Sequence, residues 1–119
     1  MEGELDSRPL SGRIVLLCLV DLEHAASTPA HTGEVIRESR DLLETVERDL
    51  MDSLSEAAVN RALNRLEADG LVEMSTPSGT SPTGKGRPMY TLSVDAAEII
   101  EPLARDDEVA PIADHVKNG

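Results

Sequence analysis

Apolar positions recur along this chain with two different periods. From Ser55 to Asp69, Ala58, Val59, Ala62, Leu63 and Leu66 return at the three-and-four spacing of one helix face. Ala57, Asn60, Arg61, Asn64 and Arg65 fall on the opposite face. The pattern predicts an amphipathic helix starting near residue 54. Its N-cap is Ser55, whose hydroxyl can accept from a first-turn amide, with Glu56 at the positive end of the dipole. Ser53, three residues before Glu56, is a rival cap through a capping box. Gly70 stops the helix. Beyond it the period shortens: Leu71–Ser75 and Met89–Ser93 have the partly β-branched and aromatic character of short strands. The stretch between them, TPSGTSPTGKGRP, carries three Gly and three Pro and predicts a loop.

Two further helices are expected upstream. SGRIVLLCLVDLEHAA, from Ser11 to about Ala26, is apolar nearly all round in its middle turns, which implies burial on more than one side. Such a helix could serve the domain core and part of a dimer interface, or the core alone. After the break at Pro29, Thr32 is the expected cap of a helix in which Val35, Ile36, Leu42, Leu43, Val46 and Leu50 recur, running to Met51. Arg37, Arg40 and Arg48 lie among its carboxylates, mostly as a solvated face of pairs at three and four residues. Downstream of the strands, Val94–Ala104 resumes a helical pattern that Pro102 should end or kink. There Val94, Ala97, Ile100 and Leu103 offer an apolar strip for packing or dimerisation. From Arg105 the sequence is mostly polar, with Pro111 able to start one short last turn. The expected organisation is an acidic tail over 1–8, one domain with dimerisation elements over 9–105, and a tail or short helix over 106–119.

Helix, strand, loop and strand in this order predict a mainly α fold with a small β-hairpin wing (α+β), a winged helix-turn-helix. Arg and Asn on the exposed face of a helix have the forks that fit guanine and adenine edges in a major groove, and Ala57 could meet a thymine methyl. Ordinary surface ion pairs are the plainer reading of Arg61 and Arg65. Lys85 and Arg87 stand at the end of the loop, the only basic residues between Arg65 and Arg105. Their segment GKGRP, with Gly86 between them, is similar to the core of a minor-groove AT-hook.

Charge modifies this picture. The chain of 119 residues carries a formal net charge of −12, where a basic footprint is the usual sign of nucleic-acid binding. The distribution restores the idea. Residues 1–53 hold 12 acids against 5 bases and residues 95–119 hold 7 against 2, whereas residues 54–94 hold 4 of each. Acid is placed away from the reading segment. Nine Arg against two Lys, many carboxylates and one aromatic residue suggest adaptation to concentrated salt, where the Debye length is about 3 Å at 1 M. Inorganic cations at the DNA interface are then an expected partner, able to flatten the usual loss of affinity with salt.

The blocks SEAAVNRALNRLEADGLVEM and GKGRPMYTLSVDAAEII resemble the winged helix-turn-helix of PadR-type transcriptional regulators, with HTGEVIRESR as the preceding helix. Within that group the acidic composition is most similar to small haloarchaeal regulators of the RosR kind. The resemblance implies a homodimer that binds double-stranded DNA and regulates transcription, with a stress-linked role. Residues carried over to the DNA contact are Ser55, Ala57, Asn60, Arg61, Asn64, Arg65, Lys85, Gly86 and Arg87. The chain departs from the family in lacking aromatic residues at the start of the recognition helix and a long C-terminal dimerisation helix.

Other chemistry finds little footing. His24, His31 and His115 have no metal-ligand spacing, so no metal or cofactor is expected and the histidines read as surface or capping residues. There is no P-loop, no carboxylate pair stands out, and catalysis is not expected. The seven-residue apolar run Ile14–Val20 is too short to span a bilayer and MEGELDSR is acidic where a signal peptide is basic, so the expected location is the cytoplasm, with no membrane partner. The sole Cys18 reads as a small buried residue, with a redox switch as its alternative. Two other functions stay open: a winged-helix module that binds another protein, and a regulator set by a ligand or by oxidation.

Overall fold

Apolar residues all round one helix require neighbours all round it, and the first helix has them. The computed structural model describes residues 8–46, 48–49, 54–75 and 88–118. Among these the order is α1 (Leu10–His24), β1 (Ala30–His31), α2 (Thr32–Val46), α3 (Glu56–Ala68), β2 (Val72–Ser75), β3 (Met89–Leu92), α4 (Ala96–Ala104) and α5 (Ala110–Asn118). Helix α1 packs against α2, α3, α4, α5 and β3, and every residue from Ile14 to Val20 is fully buried. Its apolar surface is used up inside its own chain. The burial of Ile14–Val20 accords with the core reading of this helix.

The strands form one antiparallel sheet in the order β1-β3-β2. In the hairpin, Val72 faces Leu92 and Ser75 faces Met89. On the other side of β3, Ala30 faces Tyr90. Alternation along β3 buries Tyr90 and Leu92, so the only aromatic side chain of the protein joins an aliphatic core. With helices α2 and α3 before the hairpin and the 76–87 connection between its strands, this is the mainly α winged helix-turn-helix with a small β element.

Local differences from expectation have physical causes. The cap of α2 is His31, not Thr32. Its Nδ1 accepts from the Glu34 amide at 3.3 Å while its own amide donates to Glu34 Oε1 at 3.2 Å, a reciprocal box with an imidazole in place of a hydroxyl. Helix α2 runs to Val46, and the expected continuation to Met51 falls in part on Glu47 and residues 50–53, which lie outside the described residues. Helix α4 runs through Pro102 and ends two residues later at Ala104; the missing amide forfeits one helix bond, that to the Glu98 carbonyl. The end of the chain is more ordered than one short turn. Asp106 caps it: its carbonyl accepts from the Val109 and Ala110 amides at 3.0 and 2.7 Å, and its Oδ1 from the Glu108 amide at 3.1 Å. Val109, Ile112, Ala113 and Val116 then enter the core, all fully buried. In the strip predicted on α4, Ile100 and Leu103 are also core residues, with Val94 half-buried and Ala97 exposed. Met74 is the only large hydrophobic side chain left exposed among the described residues.

Candidate nucleic-acid interface

Helix α3 is fixed at both ends by its own sequence. Ser55 has extended backbone angles and its Oγ accepts from the Ala58 amide at 3.1 Å, the cap that the sequence predicts. At the other end Gly70 takes a φ of 84°, the left-handed conformation that costs an L side chain about 1–2 kcal/mol. The Gly70 amide donates to the Glu67 carbonyl and the Leu71 amide to the Leu66 carbonyl, at 3.1 and 3.0 Å. That is a Schellman closure, and it turns the chain directly into β2. Val59, Ala62, Leu63 and Leu66 are buried, and Ala58 is half-buried at the edge of their face.

On the opposite face Ala57, Asn60, Arg61, Asn64 and Arg65 are all exposed, as is Ser55 at the tip. Asn60 donates its amide to the Glu56 carbonyl at 3.2 Å, which ties the exposed side chain to its own helix. The Arg65 Nε reaches Asp69 Oδ2 at 3.4 Å, yet the Arg65 side chain remains 75% exposed. Lys85, Gly86 and Arg87, the three candidates in the wing, lie outside the described residues.

Sequence reasoning missed Arg8, which it assigned to the acidic tail. The Arg8 Nη1 donates to Asp69 Oδ2 at 2.7 Å, so it stands beside the end of α3. This hydrogen bond holds the Asp69 carboxyl below the usual range, with the charges of Arg8 and Arg65 adding to the effect and desolvation opposing it. The signal that could have placed Arg8 is the proline after it. Pro9 is the N-cap of α1, and a proline next to a strong apolar helix pattern marks a helix start. Arg8, Pro9, Ser11 and Gly12 form one wall of a cleft of about 610 Å³ whose other wall is Arg61, Asn64 and Arg65.

Behind Arg8 the chain is anchored by a second arginine. Arg13 Nε donates to the Arg8 carbonyl at 3.1 Å, and its terminal nitrogens reach Asp106 at 2.6 Å and Glu108 at 2.9 Å. Burial works against the charge, but the hydrogen bonds and charges of Asp106 and Glu108 outweigh it and raise the Arg13 pKa. Elsewhere, Cys18 donates its thiol to the Val35 carbonyl at 3.5 Å. Burial pushes that thiol up to about 12, with the neighbouring Ser39 hydroxyl pulling the other way. It has the properties of a core thiol. Among the described residues no three His, Cys, Asp or Glu side chains converge as a metal-ligand group, and no helix is long and apolar enough to cross a membrane.

No family model matches this chain, and no curated protein matches it significantly. Among solved structures it is similar to the Aeropyrum pernix ORC1 protein in complex with DNA, at 24% identity and a TM-score of 0.73. The likeness covers 92% of this chain and 27% of that one, so the protein spans about a quarter of its neighbour's length. What the likeness shows is the winged-helix fold.

Proposed function

We propose that this protein binds double-stranded DNA sequence-specifically with α3 in a major groove, and acts as a homodimeric regulator of transcription. The observation that carries the reading is the division of α3. One face is buried and the other presents Ala57, Asn60, Arg61, Asn64 and Arg65 to solvent on a helix rigidly closed at both ends. Arg and Asn on that face match the donor and acceptor pattern of guanine and adenine edges. The neutral balance of residues 54–94, within a chain of net charge −12, removes the repulsion such a surface would otherwise meet. The neighbour of like fold is itself described in complex with DNA, which supports the same use of the fold here. The regulatory role and pairing of two copies rest on the PadR-type resemblance in RLEADGLV and GKGRP, and the stress-linked signal on the further similarity of the acidic composition to the RosR kind. With Met74 the only large apolar side chain exposed, two copies would pair through a largely polar surface among the described residues.

The test is selection of bound duplexes from a random DNA pool in roughly 1 M KCl, where screening already removes weak electrostatic binding. Enrichment of an inverted repeat with half-sites about 10 bp apart, or a multiple of that, is the expected result for a dimer. A single half-site bound by one copy would remove the dimer and keep the DNA contact; no enrichment by folded protein would overturn both. Arg61→Ala should then cost roughly 1–3 kcal/mol and relax the preference at one position.

A further inference from the structure

The cleft between the start of α1 and the flank of α3 gathers cations from distant parts of an acidic chain. Arg8 comes from one side and Arg61 and Arg65 from the other, with Asn64 between them. Asp69 is the only carboxylate bonded to these arginines among the described residues, accepting from Arg8 at 2.7 Å and from Arg65 at 3.4 Å. Among the described residues, three guanidinium groups stand against this one bonded carboxylate. Arg8 is also incompletely satisfied. Its side chain is 15% exposed, and its Nε is buried without an acceptor among the described residues. Apolar Pro9, Ala62, Leu66 and Ala68 also line the cleft.

These features select a ligand chemistry. Planar guanidinium forks on separate elements suit an anion with several oxygens, and Asp69 demonstrates an oxyanion held between Arg8 and Arg65. Apolar lining beside the guanidinium groups leaves room for the carbon frame that a phosphate ester carries. The cleft borders the face of α3 that bears Arg61 and Asn64. With that face in a groove, the cleft would meet the strand that walls it.

We propose that this cleft seats a backbone phosphate of the duplex read by α3, with Arg8 as a direct phosphate contact and Asp69 as the group that restrains Arg8 and Arg65 until phosphate competes for them. The inference rests on the DNA-binding reading for the source of the phosphate. A free phosphorylated molecule offers the same chemistry and is the other source. Phosphate contacts fix register without reading sequence, so Arg8 should act on affinity and leave base preference alone.

The experiment measures binding of the full chain to its selected duplex, and to a duplex with one base pair changed, by fluorescence anisotropy across a KCl series. Arg8→Ala should weaken binding to both duplexes alike by about tenfold, the scale of one charge-assisted hydrogen bond. It should also make the salt slope shallower than that of the unaltered protein by about 0.9. Asp69→Asn, which breaks the same ion pair from its other end, should tighten binding. Opposite signs separate a phosphate contact from a structural one, because loss of a merely structural pair would shift both variants the same way. Shifts in the same direction, or an Arg8→Ala protein within twofold of the original, would overturn the proposal while leaving DNA binding by α3 intact. If no duplex is selected, inorganic phosphate is titrated instead and followed by its phosphorus resonance. Binding that Arg8→Ala abolishes would keep the cleft with a free phosphorylated ligand, and absence of binding would remove it together with the DNA reading.

Discussion

Arg13 sets the sharpest test of how this fold is held. It is a cation next to the fully buried run Ile14–Val20, 9% exposed, with its 2.6 Å partner Asp106 11% exposed and its second partner Glu108 61% exposed. Replacing Arg13 by Met keeps the length and most of the apolar stem but removes the charge. Removing one member of a fully buried pair costs about 3–5 kcal/mol, chiefly because the other is left unpaired. Here Asp106 keeps the Glu108 amide at 3.1 Å and Glu108 itself returns to water, so the loss should be about 2–3 kcal/mol. For a chain of this size that lowers the thermal midpoint by roughly 10 °C. The double variant Arg13→Met/Asp106→Asn retains a side-chain oxygen for the cap and removes the orphaned charge. It should recover at least half of the loss, and the recovery should persist in molar KCl because the pair is shielded from solvent. Thermal unfolding of the two single variants and the double variant, followed by circular dichroism at low and high salt, measures both quantities. If Arg13→Met melts within 2 °C of the original, or if the two substitutions simply add, the pair does not hold α1 to the α4–α5 turn as argued.

Other expectations are smaller and independent of that pair. Helix α1 ends in the same closure as α3, but with Ala26 at a φ of 59° where α3 has Gly70; Ala26→Gly should raise stability by roughly 1 kcal/mol in denaturant titrations, by relieving left-handed strain. The Glu38 carboxyl is raised from 4.5 to about 7 by its hydrogen bond to Asp21, then by burial and by the charges of Asp21 and Asp41. The folded state therefore holds a proton that the unfolded state has lost between about pH 4.5 and 7, and stability should fall as pH rises through that window. Glu38 is only partly buried, so the slope should total about 1 kcal/mol and vanish in Glu38→Gln, as read from melting temperatures between pH 5 and 8. Cys18 should react with a thiol reagent only at the rate of unfolding, and fast labelling of native protein would contradict its place in the core.

The parts of the fold that could be read in advance are those written in local signals. Ser55 and Gly70 bracket α3 because a cap and a left-handed residue act within one turn of their own positions. The buried and exposed faces between them follow from side-chain spacing alone. Strand β1 carries no such signal: two residues, Ala30 and His31, become a strand only because Tyr90 and Met89 lie beside them. Helix α5 was obscured by Pro111 and surrounding acid, although Val109, Ile112, Ala113 and Val116 have the spacing of one helix face. In the candidate site, the exposed residues of α3 were legible. Arg8 was not, because what gives it a place is Asp69, 61 positions further on.

That long-range tie bears on how so acidic a chain could approach DNA. Acid near a reading surface is harmful when it faces phosphate and useful when it is spent on a specific cation. Asp69 is spent in this way, bridging Arg8 and Arg65 at the edge of α3. Asp106 and Glu108 are spent on Arg13, whose Nε in turn holds the Arg8 carbonyl. Three carboxylates, Asp69, Asp106 and Glu108, are thus held by fixed arginine partners, and those arginines lead toward the same cleft. Fixed partners keep their geometry when salt is high, whereas screening acts alike on every exposed charge. Along the sequence, residues 54–94 hold as many bases as acids, so the excess behind the total of −12 lies in the flanking segments.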